Sequence, residues 1–120
     1  MFRLPKADRL VRRSQFEALY SAPGKRAGRY LVVFSAPAPA GVLRHRLGTT
    51  AAKRTFHDSC ERNRAKRLLR ESFRLLRPEI PGPPRDFVLV ARRPILSARE
   101  PQVRADFSSI LRKNGLMTGR

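Results

Sequence analysis

A single cysteine, Cys60, stands in the 120 residues of this chain. One cysteine excludes an internal disulfide and a cysteine-based zinc cluster, and it fits a reducing compartment. Acid is scarce: nine Asp and Glu face 27 Lys and Arg, a formal net charge of +18. His45 and His57 are the only histidines, and no paired carboxylates show metal-ligand spacing, so the groups that a protein nuclease needs are thinly represented. No apolar run approaches the ~20 residues that span a bilayer. Met1-Phe2-Arg3-Leu4-Pro5-Lys6 lacks the continuous apolar region of a signal peptide. These absences point to a cytoplasmic chain with no membrane partner.

What is present is positive charge, and it is concentrated. Displacing condensed counterions from phosphates gives a cationic chain a salt-sensitive, sequence-independent attraction to polyanions, and RNA or DNA matches this charge better than a membrane surface does. Arg62-Asn63-Arg64-Ala65-Lys66-Arg67-Leu68-Leu69-Arg70 places five cations and an asparagine in nine residues. With a period of ~3.6, Ala65, Leu68, Leu69, Ser72, Phe73 and Leu76 share one helix face, and Asn63, Lys66, Arg67, Arg70, Arg74 and Arg77 share the other. A merely solvated face would intersperse Glu with Lys at i,i+4 and avoid self-repulsion. Here only Glu71 offsets the cations beyond the first turn, so a polyanionic partner is expected.

The length suits one domain with a modest core. Ser14-Gln15-Phe16-Glu17 has the form of a capping box, followed by Phe16, Leu19 and Tyr20 at helical spacing and a break at Pro23-Gly24. Residues 30–35 read as a strand, and a turn around Pro37, Pro39 and Gly41 leads to a second run over 42–50. The two are expected to pair as an antiparallel hairpin. Asp58 and Glu61 mark the start of the basic helix, which runs to about Arg77 and is stopped by Pro78. The continuous apolar stretch Phe87-Val88-Leu89-Val90-Ala91 suits a central strand covered on both faces. Ser97 and Glu100 suggest another capping box, opening a helix that carries Val103, Phe107, Ile110 and Leu111 and stops at Gly115. The order is α-β-β-α-β-α: an α+β, single-domain α/β sandwich with helices packed on a small central sheet. Its strand–basic helix–strand segment is a crossover, right-handed by default if the strands are parallel. The domain spans 1–120, with short flexible termini expected at about 1–8 and 116–120.

The chemical options are few. His57 and Cys60 at i, i+3 could form a thiolate nucleophile or half a metal site, but the further ligands that zinc needs are not arranged nearby. A capping role accounts for Asp58 and Glu61 better than Mg²⁺ binding does. No catalytic residue and no protein metal ligand is expected. Phe16, Tyr20, Tyr30 and Phe34 are candidates for stacking on unpaired bases, with core packing as the competing role; Tyr20 and Tyr30 have the better claim to exposure because a phenol hydroxyl seeks water or a partner.

At this point Arg62-Asn63-Arg64-Ala65-Lys66-Arg67-Leu68-Leu69-Arg70-Glu71-Ser72-Phe73 closely resembles the signature helix of the bacterial ribonuclease P protein subunit, R-N-R-x-K-R-x-x-R-x-x-F. The resemblance extends to Arg46-Leu47-Gly48, the basic pair Lys53-Arg54, Phe16 with Tyr20, and Asp86 to Arg92, so it covers nearly the whole chain. The chain departs from the family pattern in Thr55-Phe56-His57-Asp58-Ser59-Cys60-Glu61, which replaces a glycine and Ala-Val and is one residue longer.

The resemblance implies a ribonucleoprotein that removes the 5′ leader of precursor tRNA, with cleavage and the catalytic Mg²⁺ belonging to the large RNA subunit. By position it implies that Arg62, Asn63, Arg64, Arg67, Lys53 and Arg54 contact that RNA. Phe16, Tyr20, Phe34, Lys66 and Arg70 would line a cleft for the single-stranded leader. It also implies a left-handed βαβ crossover, partners limited to the RNA subunit and precursor tRNA, and no small-molecule substrate. A ribosomal or other structural RNA-binding protein is the main alternative, and a protein-only nuclease using His57 and Cys60 is a third.

Overall fold

Strand β4 (Arg85–Ala91) occupies the interior of the sheet, as its uninterrupted apolar run requires. The computed structural model describes residues 4–117. Helix α1 (Arg13–Ser21), strands β1 (Arg26–Ala27), β2 (Leu31–Pro37) and β3 (Arg46–Thr50), helix α2 (Ser59–Leu76), β4 and helix α3 (Glu100–Lys113) follow in chain order, with single 3-10 turns between some of them. The strands lie in the order β1-β2-β4-β3.

β2 and β3 therefore do not form the expected hairpin. β4 lies between them, antiparallel to β2 from Leu31↔Ala91 to Pro37↔Arg85 and parallel to β3 from Arg46↔Asp86 to Thr50↔Val90. The link over residues 38–45 is long enough for this, since an extended residue covers ~3.3 Å and strands sit ~4.8 Å apart. Placing β4 inside satisfies both of its edges and buries both of its faces. The parallel β3–β4 pair makes β3-α2-β4 a crossover unit. Two elements were not expected from the sequence: the two-residue β1, and residues 9–10, where the Leu10 amide donates to the Leu47 carbonyl (2.8 Å) along the outer edge of β3.

The faces of the sheet are covered unequally. Leu31, Val33, Leu47, Phe87 and Leu89 pack under α2, through Ala65, Leu69, Phe73 and Leu76, and under α3, through Val103, Phe107, Ile110 and Leu111. On the opposite face the smaller apolar cluster of the described residues has Leu10, Leu19 and Val88 buried, with Phe16, Phe34, Ala36 and Val90 partly buried around them. One nine-residue helix, α1, cannot cover that face.

Both outer helices start differently from the sequence pattern. Ser14 and Ser97 are not the caps. Arg12 and Arg99 flank the helices instead, and the side-chain carbonyls of Gln15 and Gln102 accept from their amides at 2.9 Å and 2.8 Å. This is the returning half of a capping box without its serine. Asp58 holds the N-cap position of α2 through its backbone, with no side-chain cap bond, while Glu61 pairs with Arg93 at 3.2 Å. Gly115 ends α3 as expected: its φ of +74° lets its own amide reach the Arg112 carbonyl (3.1 Å) and the Leu116 amide reach that of Leu111 (2.8 Å).

The terminal stretches expected to be flexible carry structure over the described residues. Leu4 and Asp8 are buried, and Asp8 accepts Arg77 at 2.9 Å and pairs with Arg44 at 3.2 Å. Leu116 and Met117 pack against the main core. The rest of those stretches, 1–3 and 118–120, lies outside the described residues.

Candidate nucleic-acid interface

The half-open face beside α1 gathers three of the five residues expected at the leader cleft. Phe16 and Tyr20 are one helical turn apart on α1, with ring centroids 6.4 Å apart, and Tyr20 meets Phe34 of β2 edge-on at 4.9 Å. Tyr20 is 42% exposed, and its hydroxyl hydrogen-bonds Thr50 Oγ1 of β3 at 3.1 Å. Lys25 brings its ammonium to 6.0 Å from the Phe34 ring centroid. A platform of tilted rings with a cation beside it is suited to unpaired bases and to the backbone between them. Tyr30, the fourth stacking candidate, is not part of it: its side chain packs against the core under α2 and α3, with the Arg29 guanidinium over its ring at 5.5 Å.

Alternation along the strands explains the grouping. Leu31, Val33 and Ser35 are buried, so Val32, Phe34 and Ala36 turn to the α1 side. On β3, Leu47 goes to the main core and Gly48 to the α1 side, where a Cβ would lie 2.6 Å from the Phe16 ring. The motif Arg46-Leu47-Gly48 thus combines a core residue and a ring seat with an anchor, because Arg46 grips Asp86 through two bonds of 2.8 and 2.7 Å. The Asp86 hydrogen bond raises the Arg46 pKa above its usual value, against the opposing effect of burial.

The second group lies on α2 and the turn before it. Asn63, Arg64, Arg67 and Arg70 are exposed and Lys66 is half-buried, opposite the buried row of Ala65, Leu69, Ser72, Phe73 and Leu76. Lys66 and Arg70 share this helix and do not belong to the ring cluster. Lys53 and Arg54 form the exposed corner of a tight turn in which the Thr55 and Phe56 amides both donate to the Ala52 carbonyl, at 3.1 and 2.9 Å. Arg62 is placed differently from the other cations: its Nη1 donates inward to the Phe56 and His57 carbonyls at 2.8 and 2.9 Å. Glu71 is spanned by Arg74, whose Nε donates at 3.0 Å. That hydrogen bond holds the Glu71 carboxyl below the usual carboxylate range and raises Arg74.

The remaining titratable groups are spread out. His57 and Cys60 are both exposed. His45 is buried: its Nδ1 accepts from the Arg85 amide at 3.0 Å, which leaves the proton on Nε2 to donate to the Ile80 carbonyl at 3.1 Å. It pins the entry to β4. Among the described residues no group of three or more His, Cys, Asp or Glu could hold a metal ion, and no helix is long and apolar enough to cross a membrane. Reading the sequence did not single out Lys25, Thr50 or Arg93. Lys25 lies in an irregular segment and Arg93 opens a short 3-10 turn, neither with a periodicity that marks a direction, and Thr50 reads only as a strand end.

The family model for ribonuclease P matches residues 4–115. The chain is 31% identical over 110 residues to the ribonuclease P protein component of an Exiguobacterium strain, covering 92% of each. It is 38% identical over 97 residues to that of Halorhodospira halophila, covering 80% of this chain and 76% of the relative. The RNase P protein of Staphylococcus aureus shares the fold, with a TM-score of 0.75 at 24% identity over 94% of this chain and 100% of the other.

Proposed function

This chain belongs to the ribonuclease P protein family, and from that membership we propose that it holds two RNAs at once. The first is the family's large catalytic RNA, met by Lys53, Arg54, Asn63, Arg64 and Arg67, with Arg62 behind them. The second is the single-stranded 5′ leader of precursor tRNA, whose bases stack on Phe16, Tyr20 and Phe34 while Lys66 and Arg70 neutralise its backbone. The enzyme so formed is an endoribonuclease acting in the cytoplasm on precursor tRNA.

The observation that carries this reading is the three-ring cluster on a sheet face that its own helix leaves half open. Tyr20 is 42% exposed there and Phe16 and Phe34 are only partly buried, which leaves ring surface that a base can cover. Leaders differ in sequence, so stacking and charge, which tolerate any base, suit them better than base-edge hydrogen bonds. Because the rings and α2 are on opposite layers, a leader engaging both would pass the edge of β3.

Bond cleavage is assigned to the RNA subunit with its Mg²⁺. The buried carboxylates of this chain fit no metal: Asp8 is taken by Arg77 and Arg44, and Asp86 by Arg46. The chain's contribution is positional and electrostatic. A cation between two polyanions screens their repulsion and so lowers the divalent ion concentration needed to bring them together.

Adding the purified chain to ribonuclease P RNA at low Mg²⁺ and assaying precursor tRNA cleavage tests the proposal. Stimulated cleavage at the leader junction is expected. No stimulation rejects the subunit role and leaves a structural RNA-binding protein, while cleavage by the chain alone points to a protein nuclease.

A further inference from the structure

Three consecutive carbonyls in the segment before α2, those of Thr55, Phe56 and His57, are each taken by an arginine from a neighbouring element. Arg62, in the first turn of α2, gives both hydrogens of Nη1 to Phe56 and His57. Arg93, in the 3-10 turn after β4, gives its Nη1 to Thr55 at 3.0 Å and to the Glu61 carboxylate at 3.2 Å, with its guanidinium 5.9 Å from the Phe56 ring centroid. Phe56 is wholly buried.

We propose that Arg62 and Arg93 are positioning residues that clamp this segment and so fix Lys53 and Arg54 for the RNA subunit. This rests on the RNA-binding role proposed above for that basic pair. The pair sits on a turn whose backbone closes on the Ala52 carbonyl, and two long cationic side chains lose less entropy on meeting phosphates when the backbone that carries them is held on both sides. The buried ring anchors the turn from below, and the two guanidiniums lock the backbone that follows it. Arg62 thus acts through Lys53 and Arg54, which distinguishes it from Arg64 and Arg67. A planar fork suits paired carbonyl acceptors, whereas an ammonium of equal charge lacks that geometry.

Arg62→Lys and Arg93→Lys test this because they keep the charge and alter the fork. In the free chain, exchange of the Phe56 amide should accelerate by about tenfold in either variant. Binding to ribonuclease P RNA should weaken by roughly tenfold, and neither variant should add to the loss already caused by Lys53→Ala with Arg54→Ala. If a variant unfolds, Glu61→Gln gives a milder version, with faster exchange expected again. Unchanged exchange overturns the clamp; so does an equal loss of RNA affinity when Lys53 and Arg54 are absent, which would make the arginines direct contacts. Failure of the unaltered chain to bind the RNA would remove the role of the basic pair instead, and the exchange measurement would still decide the clamp.

Discussion

Gly48 and Phe16 meet so closely that a Cβ on the glycine would lie 2.6 Å from the ring's ζ carbon. A strand residue without a side chain is the seat on which a ring of the neighbouring helix rests. Gly48→Ala should therefore move the ring without unfolding the protein. The ring's outer edge can yield and alanine suits a strand better than glycine, so stability should stay within about 1 kcal/mol. Binding of precursor tRNA by the reconstituted enzyme should weaken, with mature tRNA binding unchanged. Equal binding of precursor by variant and parent would mean that the ring's position does not matter.

Phe16→Ala and Tyr20→Ala should each weaken precursor binding by ~1–3 kcal/mol, the contribution of one base stack. Mature tRNA lacks the leader and should bind as before. Comparing the two substrates in the same titration separates a stacking ring from a structural one, which would reduce both equally.

Arg64→Ala and Arg67→Ala remove exposed cations from α2. Each should reduce the salt dependence of assembly with the RNA subunit by about 0.7–0.9 in log–log slope, the release expected from one phosphate contact. Affinity measured across a KCl series checks this, and an unchanged slope counts against direct contact.

Asp86→Asn leaves Arg46 with a mostly buried charge and no anion at the junction of β3 and β4. Removing one partner of such a pair should destabilise the fold by roughly 3 kcal/mol. Urea unfolding should show an earlier midpoint at constant slope, whereas an unshifted midpoint would mean that water fully replaces Asp86.

Glu71 has a folded pKa below its usual value because Arg74 hydrogen-bonds the carboxylate. Its contribution is complete above the ordinary carboxylate range and is lost as pH falls through the lowered value. Glu71→Gln should therefore unfold with a shallower dependence on pH from about pH 5 downward. Identical acid limbs for the two proteins would remove the pair from the account. The effect should be small, since both side chains are partly solvated.

The amphipathic α2 was legible because a period of 3.6 and a block of charge coincide in one stretch, and Phe87 to Ala91 announced an interior strand by having no polar alternation. The pairing of β2 with β4 was not legible. Neighbouring strands with a turn between them usually pair, and nothing local to residues 30–50 records that β4 arrives later to separate them. Of the rings, Phe16 and Tyr20 were legible by helical spacing, while Tyr30 and Phe34 share the same strand parity and are separated only because Tyr30 lies in a bend just before β2, a boundary that the sequence does not mark. Arg62 carries the same charge as Arg64, so nothing in its residue type records that its guanidinium turns back to the Phe56 and His57 carbonyls of the preceding loop.

The most direct test of one protein holding two RNAs is the affinity of ribonuclease P RNA for precursor and mature tRNA, measured with and without this chain at a fixed low Mg²⁺ concentration. The account predicts that the chain tightens binding of the precursor and leaves mature tRNA nearly unchanged. Equal tightening of both, or of neither, would contradict it.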